Sequence, residues 1–258
     1  MKKKNRIPAN QTNPNSNNDD TKKDRSPSIP QRQKFSGKLT IYQRELTPKQ
    51  KQFLELAADK SVKMIFVSGP AGTSKTFLAV LHALIMINEK RVSDLIYLRS
   101  AVESSDSKLG FLPGEASEKL APYIQPLLEK MEEMLPKHDI DALVKDERVE
   151  GIPMGFIRGL NWNAKVIIAD ESQNMTYKEL FTLITRTGEF SKVFILGDPD
   201  QSDINGKSGF IKMLSIFDDE DSRKNGIHVF RFTEDDIVRS GLVQFIVKKV
   251  KQQTEKAS

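Results

Sequence analysis

The fold is decided by the stretch Met64-Ile65-Phe66-Val67-Ser68-Gly69-Pro70-Ala71-Gly72-Thr73-Ser74-Lys75-Thr76. Its apolar start has the composition of a buried strand, and a loop of small residues, a Lys-Thr pair and a helical run follow. Backbone N–H groups of such a loop and the positive end of the helix can hold phosphates. The stretch therefore predicts a P-loop, although a small-residue loop that binds no nucleotide has the same composition.

Each residue from Gly69 to Thr76 is a candidate contact to a bound nucleotide. Lys75 is expected to reach the β- and γ-phosphates, and the Thr76 hydroxyl is expected to bind Mg²⁺. The P-loop pattern has glycine immediately before the lysine, whereas this chain has Ser74. A side chain there restricts the loop, because glycine alone enters left-handed backbone conformations without cost. ATP and Mg²⁺ are the expected ligands.

Strands and helices are predicted to alternate along the chain. Helices are expected from Pro48 to Asp59, where Thr47 is the N-cap, at Lys75–Glu89 and, in a long charged segment, near Gly114–Leu135. Pro122 and Pro126 should break or kink the last of these. Short apolar runs predict strands at Val62–Val67, Asp94–Leu98, Lys165–Ala169, Lys192–Leu196 and Ile227–Phe232. The pattern indicates an α/β fold of the RecA-like P-loop class, a mainly parallel sheet flanked by helices.

A second motif, Val166-Ile167-Ile168-Ala169-Asp170-Glu171, is an apolar run that ends in two adjacent acids. Acids at the carboxyl end of a parallel strand lie where ligands bind in open α/β sheets. Asp170 is expected to hold Mg²⁺, and Glu171 to act as general base towards the water that attacks the γ-phosphate. The alternative is a pair of acids that only cap a helix.

A third run, Val193-Phe194-Ile195-Leu196, ends in Gly197-Asp198-Pro199-Asp200-Gln201. The neutral amide of Gln201 could orient water near the γ-phosphate. A β-turn explains Gly-Asp-Pro-Asp equally well, but it does not explain why polar residues follow a third apolar strand.

The first 38 residues differ in composition from the rest. They hold ten Lys/Arg and three Asp/Glu, and removing these from the chain's 40 and 35 leaves 30 basic and 32 acidic residues. The net charge of +5 therefore comes from the tail. With few aliphatic residues to bury, residues 1–38 are predicted to be a disordered basic tail, and residues 39–258 the folded domain. The tail could touch nucleic acid or serve only to keep the protein in solution.

Composition excludes several classes of protein. The absence of cysteine excludes disulfides, thiolate zinc sites and cysteine nucleophiles. No apolar run approaches the ~20 residues of a membrane-spanning helix, and no apolar stretch follows the basic N-terminus as in a secretory signal. We expect a cytoplasmic protein with no membrane partner. Aromatic residues make up only 7% of the chain, most of them in core-like segments, and no stacking platform for single strands is evident.

Taken together, these motifs resemble the PhoH family of ATPases, which is related to superfamily-one helicases. The resemblance covers roughly residues 44–250. Besides the P-loop and the two acidic motifs it rests on Leu109-Gly110-Phe111-Leu112-Pro113-Gly114, Pro122-Tyr123, Arg158-Gly159, Ser172-Gln173-Asn174, Thr185-Arg186-Thr187-Gly188, Ser191-Lys192 and Asp236-Ile237-Val238-Arg239-Ser240. Two positions depart from the family, Ser74 where glycine is usual and Ser172 where alanine is usual.

The resemblance implies further roles. Gln50 matches the glutamine with which superfamily-one helicases read the adenine edge, since an amide donates and accepts at once; an exposed helical glutamine is the alternative. The family also implies action on nucleic acid. Relatives for which RNA processing is proposed carry an additional nuclease domain, and we expect none within these 258 residues.

Superfamily-one helicases place ATP between two RecA-like domains, the second of which supplies arginines to the γ-phosphate. This chain has room for one such domain, so the charge is expected from elsewhere in the domain or from a neighbouring subunit. Candidates are Arg239, Arg186 and Arg158, although each could equally form a surface ion pair. A contact that supplies an arginine head to tail closes into a ring, and we expect a hexamer.

Three functions fit these features. The first is an ATPase that remodels RNA or single-stranded DNA in the manner of a helicase. The second is an ATP-binding regulatory or assembly protein with slow hydrolysis and no unwinding. The third is a small-molecule kinase, which Glu171 and Gln201 disfavour because they suit water as the nucleophile.

Overall fold

The computed structural model describes residues 35–42, 44–100, 116–204 and 206–238, together with residues 241, 245 and 249. Helices and strands alternate through most of this length. In chain order they are α1 (Pro48–Ala58), β1 (Met64–Ser68), α2 (Lys75–Asn88), β2 (Asp94–Arg99), α3 (Ala116–Glu132), α4 (Lys137–Lys145), β3 (Val149–Pro153), β4 (Lys165–Asp170), α5 (Tyr177–Ile184), β5 (Lys192–Gly197), α6 (Phe210–Ile216), α7 (Glu220–Lys224) and β6 (Ile227–Arg231).

The strands form a single six-stranded sheet in the order β3-β2-β4-β5-β1-β6. Every described pairing is parallel. To form a parallel pair, the chain must return from the carboxyl end of one strand to the amino end of the next, and the intervening helices make this crossover. The carboxyl ends of β1, β4 and β5 consequently meet at one edge, where Ser68 pairs with Gly197.

The sheet is covered on both faces, as a parallel sheet requires. Successive residues of β1 alternate between two cores: Ile65 and Val67 pack with α1, α2 and α3, whereas Met64 and Phe66 pack with α5 and α6. The predicted α/β class is thereby confirmed. Within the described part of the chain, no helix combines the length and apolar character needed to cross a bilayer.

Strand β3 was not predicted from the sequence. It lies at the edge of the sheet and contains Glu150, Gly151 and Pro153, residues that disfavour strands in isolation. Gly151 permits close packing of α3, since an added Cβ would lie 2.6 Å from the Ile124 nitrogen. Tertiary packing therefore outweighs local propensity in this segment.

The prediction that prolines break α3 is wrong, because the helix continues through Pro122 and Pro126; that they kink it stays a prediction. Pro122 is exposed and Pro126 half-buried, while Tyr123 and Leu127 point into the core. The hydrogen bonds that the prolines cannot make therefore lie towards the outer side, where water can solvate the free carbonyls.

The packed chain also begins earlier than residue 39. Phe35 is buried in the core beside Leu39, whose backbone N–H donates to Asn88 Oδ1 at 2.9 Å. Residues 35–38, placed in the tail by composition, thus include a core residue. The rest of the predicted tail lies outside the described residues.

Candidate functional site

The P-loop connects β1 to α2 and has two residues in the left-handed backbone region, Gly72 at φ 90° and Ser74 at φ 68°. Ser74 makes no side-chain capping bond to α2. Its conformation is the one that glycine adopts freely and serine adopts at a cost of roughly 1 kcal/mol. The departure at residue 74 therefore changes the energy of the loop backbone without preventing its left-handed turn.

Gly69 is required by a close approach of the chain after β6. A Cβ at residue 69 would lie 2.7 Å from Phe232 Cβ, closer than real Cβ contacts. The loop is thus held between the sheet and residue 232, which keeps its backbone next to the carboxyl edge.

Lys75 folds back into the loop. Its ammonium donates to the carbonyl oxygens of Gly69 at 2.6 Å and Pro70 at 3.0 Å. Burial lowers the pKa of Lys75, and the negative charges of Asp198, Asp170 and Glu171 oppose that shift. The lysine is a half-buried cation whose partners are neutral carbonyls, so a phosphate oxygen would be a stronger partner.

Asp170 accepts two hydroxyl hydrogen bonds at the end of β4. Thr76 Oγ1 lies 3.0 Å from Asp170 Oδ2, and the Tyr97 hydroxyl lies 2.6 Å from the same oxygen. Burial raises the pKa of Tyr97, with the Asp170 charge adding to the effect, so the phenol stays protonated and remains a donor. Thr76 and Asp170, the two predicted magnesium ligands, are therefore brought together.

Glu171 follows in a strained conformation, with φ 52° in the left-handed region. Its Oε2 accepts from Gln173 Nε2 at 2.6 Å, and its Oε1 lies 3.9 Å from Arg99 Nη2. The Glu171 side chain is 40% exposed, so water can reach the carboxylate. These contacts hold an accessible carboxylate next to the P-loop, which a general base needs.

Asp198 links the third motif to the P-loop. Its backbone N–H donates to Gln173 Oε1 at 3.0 Å, and its Oδ2 accepts from the Ala71 N–H at 3.1 Å. Burial raises the pKa of Asp198, while the backbone hydrogen bond from Asp200 and the charge of Lys75 lower it. The amide of Gln173 thus bridges Glu171 and Asp198 and ties the ends of β4 and β5 together.

These groups line one cavity of about 340 Å³. Its P-loop end is formed by Ala71, Gly72, Ser74, Lys75, Thr76, Asp170, Glu171, Asp198 and Gln201. A second group of lining residues, in contact with one another, is Arg44, Phe77, Lys130 and Glu133. There the Arg44 guanidinium lies 4.5 Å from the centre of the Phe77 ring, and Glu133 lies 3.6 Å from Arg44 Nη1 and 2.6 Å from Lys130 Nζ. A flat cation on an aromatic ring leaves a surface on which a planar base can stack.

Gln50 does not line this cavity. Its Oε1 accepts from the Thr47 N–H at 3.1 Å in the capping box of α1, and its Nε2 is buried without a hydrogen-bond partner. The alternative to that role, an exposed helical glutamine, is therefore wrong, since the side chain is buried. The role of Gln50 in reading adenine stays a prediction. The unpartnered Nε2 group is the donor that this role would use.

Two of the arginine candidates, Arg158 and Arg186, do not line the cavity. Arg186 belongs to the loop that precedes β5, at the amino edge of the sheet, and its backbone pairs with that of Trp162. Its Nε is buried without a partner, and the residue borders an open depression with Gly159 and Thr187. Arg158 is exposed, and Arg239 lies outside the described residues. Arg186 therefore cannot serve the phosphates of its own P-loop, which is at the opposite edge.

Several site residues were missed or given no role by sequence reasoning. Tyr97 lies within the predicted apolar strand, and Arg99 directly follows it, so neither was given a role in the site. Arg44 precedes α1 and belongs to none of the motifs. Gln173 belongs to the Ser172-Gln173-Asn174 segment on which the family resemblance rests, but no role was predicted for it. For Arg99, a signal was available in its position at the carboxyl end of a predicted parallel strand.

Comparison with known proteins agrees with this geometry. The profile of the family described as "PhoH-like protein" matches residues 43–251. The chain belongs to the PhoH-like family. It is 37% identical to the PhoH-like protein of Mycobacterium bovis over 206 residues, which are 79% of this chain and 56% of that protein. It is 33% identical to the PhoH-like protein of Bacillus subtilis, over 77% of this chain and 61% of that protein, and 33% identical to Protein PhoH of Escherichia coli K12, over 73% and 53%.

The chain thus spans between half and two thirds of the length of these PhoH-like relatives. Among solved structures, it is similar to the Hsp104–ADP complex of S. cerevisiae, with a TM-score of 0.34 and 13% identity over 81% of this chain and 37% of that one. A structure of two coordinating Pif1 helicases that unwind forked DNA gives a TM-score of 0.31 and 16% identity, over 74% of this chain and 44% of that one.

Proposed function

We propose that this PhoH-like chain hydrolyses ATP and couples hydrolysis to remodelling of RNA or single-stranded DNA. The observation that carries the proposal is the meeting of Thr76 with Asp170 at 3.0 Å, beside the P-loop lysine and the exposed carboxylate of Glu171. The start of α2 and the end of β4 supply these groups, and a loop that binds no nucleotide gives no reason for them to converge. In such a site phosphoryl transfer depends on positioning and electrostatics.

The triphosphate would occupy the P-loop end of the cavity, with Lys75 exchanging its carbonyl partners for phosphate oxygens. The base would lie towards Arg44 and Phe77. Within the described residues, no three His, Asp or Glu side chains form a metal cluster of their own. This fits Mg²⁺, which binds through few protein oxygens together with phosphates and water. Thr76 and Asp170 would hold the ion, and its chemistry is to neutralise charge on the phosphates.

Hydrolysis then follows from the positions of Glu171 and Gln201. Gln201 would orient a water molecule at the γ-phosphate, and Glu171 would accept its proton. The water oxygen bonds to the γ-phosphorus as the bond from that phosphorus to the β–γ bridging oxygen breaks, which releases ADP and phosphate. Gln173 is a positioning residue, because it holds Glu171 through Nε2 and the Asp198 backbone through Oε1.

One observation favours a second function, ATP binding with slow hydrolysis in a regulatory or assembly protein. Ser74 puts a side chain in a left-handed turn where the P-loop pattern has glycine, and such a side chain would slow hydrolysis if the turn had to change when nucleotide binds. The two functions differ in their response to nucleic acid. ATP turnover is to be measured with and without a short RNA or single-stranded DNA. If the protein is a remodeller, adding the nucleic acid should raise the turnover. Slow turnover that neither strand changes would favour the second function.

A ring assembly is part of the proposal. Arg186 lies at the amino edge and the P-loop at the carboxyl edge, so a head-to-tail contact would bring the arginine of one copy towards the nucleotide of the next. An arginine supplied in trans raises the rate by about 10³–10⁵. A hexamer is the expected closed form.

Mixing two inactive variants tests this arrangement. Glu171→Gln subunits should lack the general base, and Arg186→Ala subunits should lack the arginine. Some interfaces in a mixed ring would pair the two intact halves, so part of the activity should return. Mixing Glu171→Gln with Lys75→Ala subunits is the control, because both lesions lie on the same side of the interface and no intact site can form. A monomer that is fully active at high dilution would contradict the ring.

A further inference from the structure

An exposed pair of aromatic rings stands on α5, outside the nucleotide cavity. Tyr177 is 40% exposed and Phe181 is 52% exposed, and their rings are nearly parallel with centroids 6.4 Å apart. The two residues are one helical turn apart and therefore share a face of the helix. Aromatic residues assigned to core-like segments from the sequence therefore lie on the surface.

One exposed lysine lies against these rings, and two more lie in the adjoining segments of the chain. Lys212 of α6 places its ammonium 4.7 Å from the centre of the Tyr177 ring. Lys178 and Lys207 are also exposed, and none of the three lysines has an ion-pair partner among the residues that the structure describes. We call the surface formed by Tyr177, Phe181, Lys178, Lys207 and Lys212 the aromatic–lysine face.

The acids nearest in sequence are already engaged. Glu179 Oε2 accepts from both the backbone N–H and the hydroxyl of Thr176 at 2.8 Å, in the capping box of α5. Asp203 Oδ2 accepts from Asn174 Nδ2 at 3.0 Å. These neutral donors leave both carboxylates charged, and the three lysines of the face exceed the two acids by one positive charge, which complements a polyanion.

The face is attached directly to the nucleotide site. Helix α5 follows the Asp170–Asn174 segment, and α6 follows the Asp198–Gln201 segment. Asn174 and Asp203 join the two segments by reciprocal hydrogen bonds of 3.0 and 2.8 Å, and the Ser202 hydroxyl donates to the Gln173 carbonyl. At Gly209 an added Cβ would lie 2.3 Å from Tyr177 Cα, so α6 begins in close contact with α5. The two helices behave as one support for the face.

We infer that the aromatic–lysine face binds single-stranded nucleic acid, with a base stacked on Phe181 and phosphates next to the lysines. The inference rests on the proposed action on RNA or single-stranded DNA and specifies where the strand lies. Exposed rings beside unpaired cations are the combination that grips single strands without sequence preference. Lysine is depleted in protein–protein interfaces, which disfavours a second copy of the chain as the occupant.

Binding of labelled oligouridylate and oligothymidylate, followed by fluorescence anisotropy, tests the inference. Phe181→Leu keeps an apolar side chain and removes the ring face, so both strands should bind about tenfold more weakly. Phe181→Tyr keeps the ring and should restore affinity. Phe190→Leu is the matched control, since Phe190 is similarly exposed at 58% but lies in the loop before β5. Thermal unfolding and sedimentation of each variant show whether fold and oligomer size are retained.

The lysines give a second readout. Lys212→Gln should lower the slope of log affinity against log salt by about 0.7, the value for one phosphate contact of a single strand. Lys60→Gln, on an exposed lysine after α1, should leave that slope unchanged. A loss that follows Phe181 and Lys212 but not their controls supports the face, whether or not the protein hydrolyses ATP.

Three results would overturn the inference. If the wild-type protein binds the strands and Phe181→Leu binds them equally well, the strand lies elsewhere, and the proposed action on nucleic acid is unaffected. If Phe181→Leu changes the oligomer size and not strand affinity, the face joins copies of this chain. If the wild-type protein binds neither strand, both the face and the proposed nucleic-acid partner are rejected.

Discussion

The hydroxyl of Tyr97 donates a 2.6 Å hydrogen bond to the same carboxylate oxygen of Asp170 that accepts from Thr76. Tyr97 reaches Asp170 because β2 and β4 are neighbours in the sheet, with Tyr97 paired to Ile168 and Arg99 to Asp170. A buried donor behind a metal-binding carboxylate fixes its orientation. Tyr97 is therefore a positioning residue for the ion that Thr76 and Asp170 would hold.

Tyr97→Phe should raise the Mg²⁺ concentration needed for half-maximal ATP hydrolysis by about 10- to 100-fold, the usual effect of losing a partner behind a metal ligand. The phenyl ring keeps the buried volume, so the fold should persist. Titration of ATPase rate against Mg²⁺ measures the effect, and nucleotide affinity in EDTA serves as the control. An unchanged Mg²⁺ requirement would leave the hydroxyl with a structural role only.

Ser74→Gly should change kcat/KM for ATP by no more than about threefold. Ser74 already has the left-handed backbone that glycine would adopt. We expect the loop to keep this backbone when nucleotide binds, so that its strain of roughly 1 kcal/mol cancels from binding and turnover. Steady-state hydrolysis measures the change. A rise well above this range would show that Ser74 restrains the enzyme and would favour the slow-hydrolysis function.

Ser74→Val is the matched comparison at the same position. A β-branched side chain strongly disfavours the left-handed region. The valine variant should therefore lose nucleotide affinity while the glycine variant keeps it. Equal behaviour of the two variants would mean that the conformation of residue 74 does not matter to the nucleotide.

Gln50→Glu separates two roles of one side chain. A glutamate oxygen can still accept from the Thr47 N–H, so the cap of α1 should survive, whereas the buried donor Nε2 is removed. If Gln50 reads the base, the preference for ATP over GTP should fall by about tenfold, as expected for loss of a buried hydrogen bond. Competition between the two nucleotides, with thermal unfolding as the folding control, measures the preference. Unchanged preference would leave Gln50 as a capping residue.

The sequence predicted those parts of the molecule whose signal is local. The strands at Met64, Lys165 and Lys192 are apolar runs of a kind that only burial on both faces explains, and the residues that end them form the site. Strand β3 was not predicted because its glycine, glutamate and proline disfavour a strand locally. The strand forms because β2 pairs with it and α3 packs closely against Gly151, and neither contact can be seen in the sequence of the strand itself.

The missed site residues share the same cause. Tyr97 sits in an apolar run, and only the register of β2 against β4 shows that its hydroxyl meets Asp170. Phe181 has the helical spacing of a core residue, yet it lies on the outer face of α5. Identity and spacing therefore indicate which residues are chemically able to act, while long-range pairing decides which of them meet.

The central claim, that this PhoH-like chain hydrolyses ATP with Glu171 as general base, is tested most directly by comparing wild-type and Glu171→Gln protein in one assay of ATP binding and turnover. Glutamine keeps the shape of the side chain but cannot accept the proton of the attacking water. The variant should bind ATP with wild-type affinity while its turnover falls by about 10²–10⁴-fold. Wild-type turnover in the variant, or loss of binding in parallel with turnover, would contradict the account.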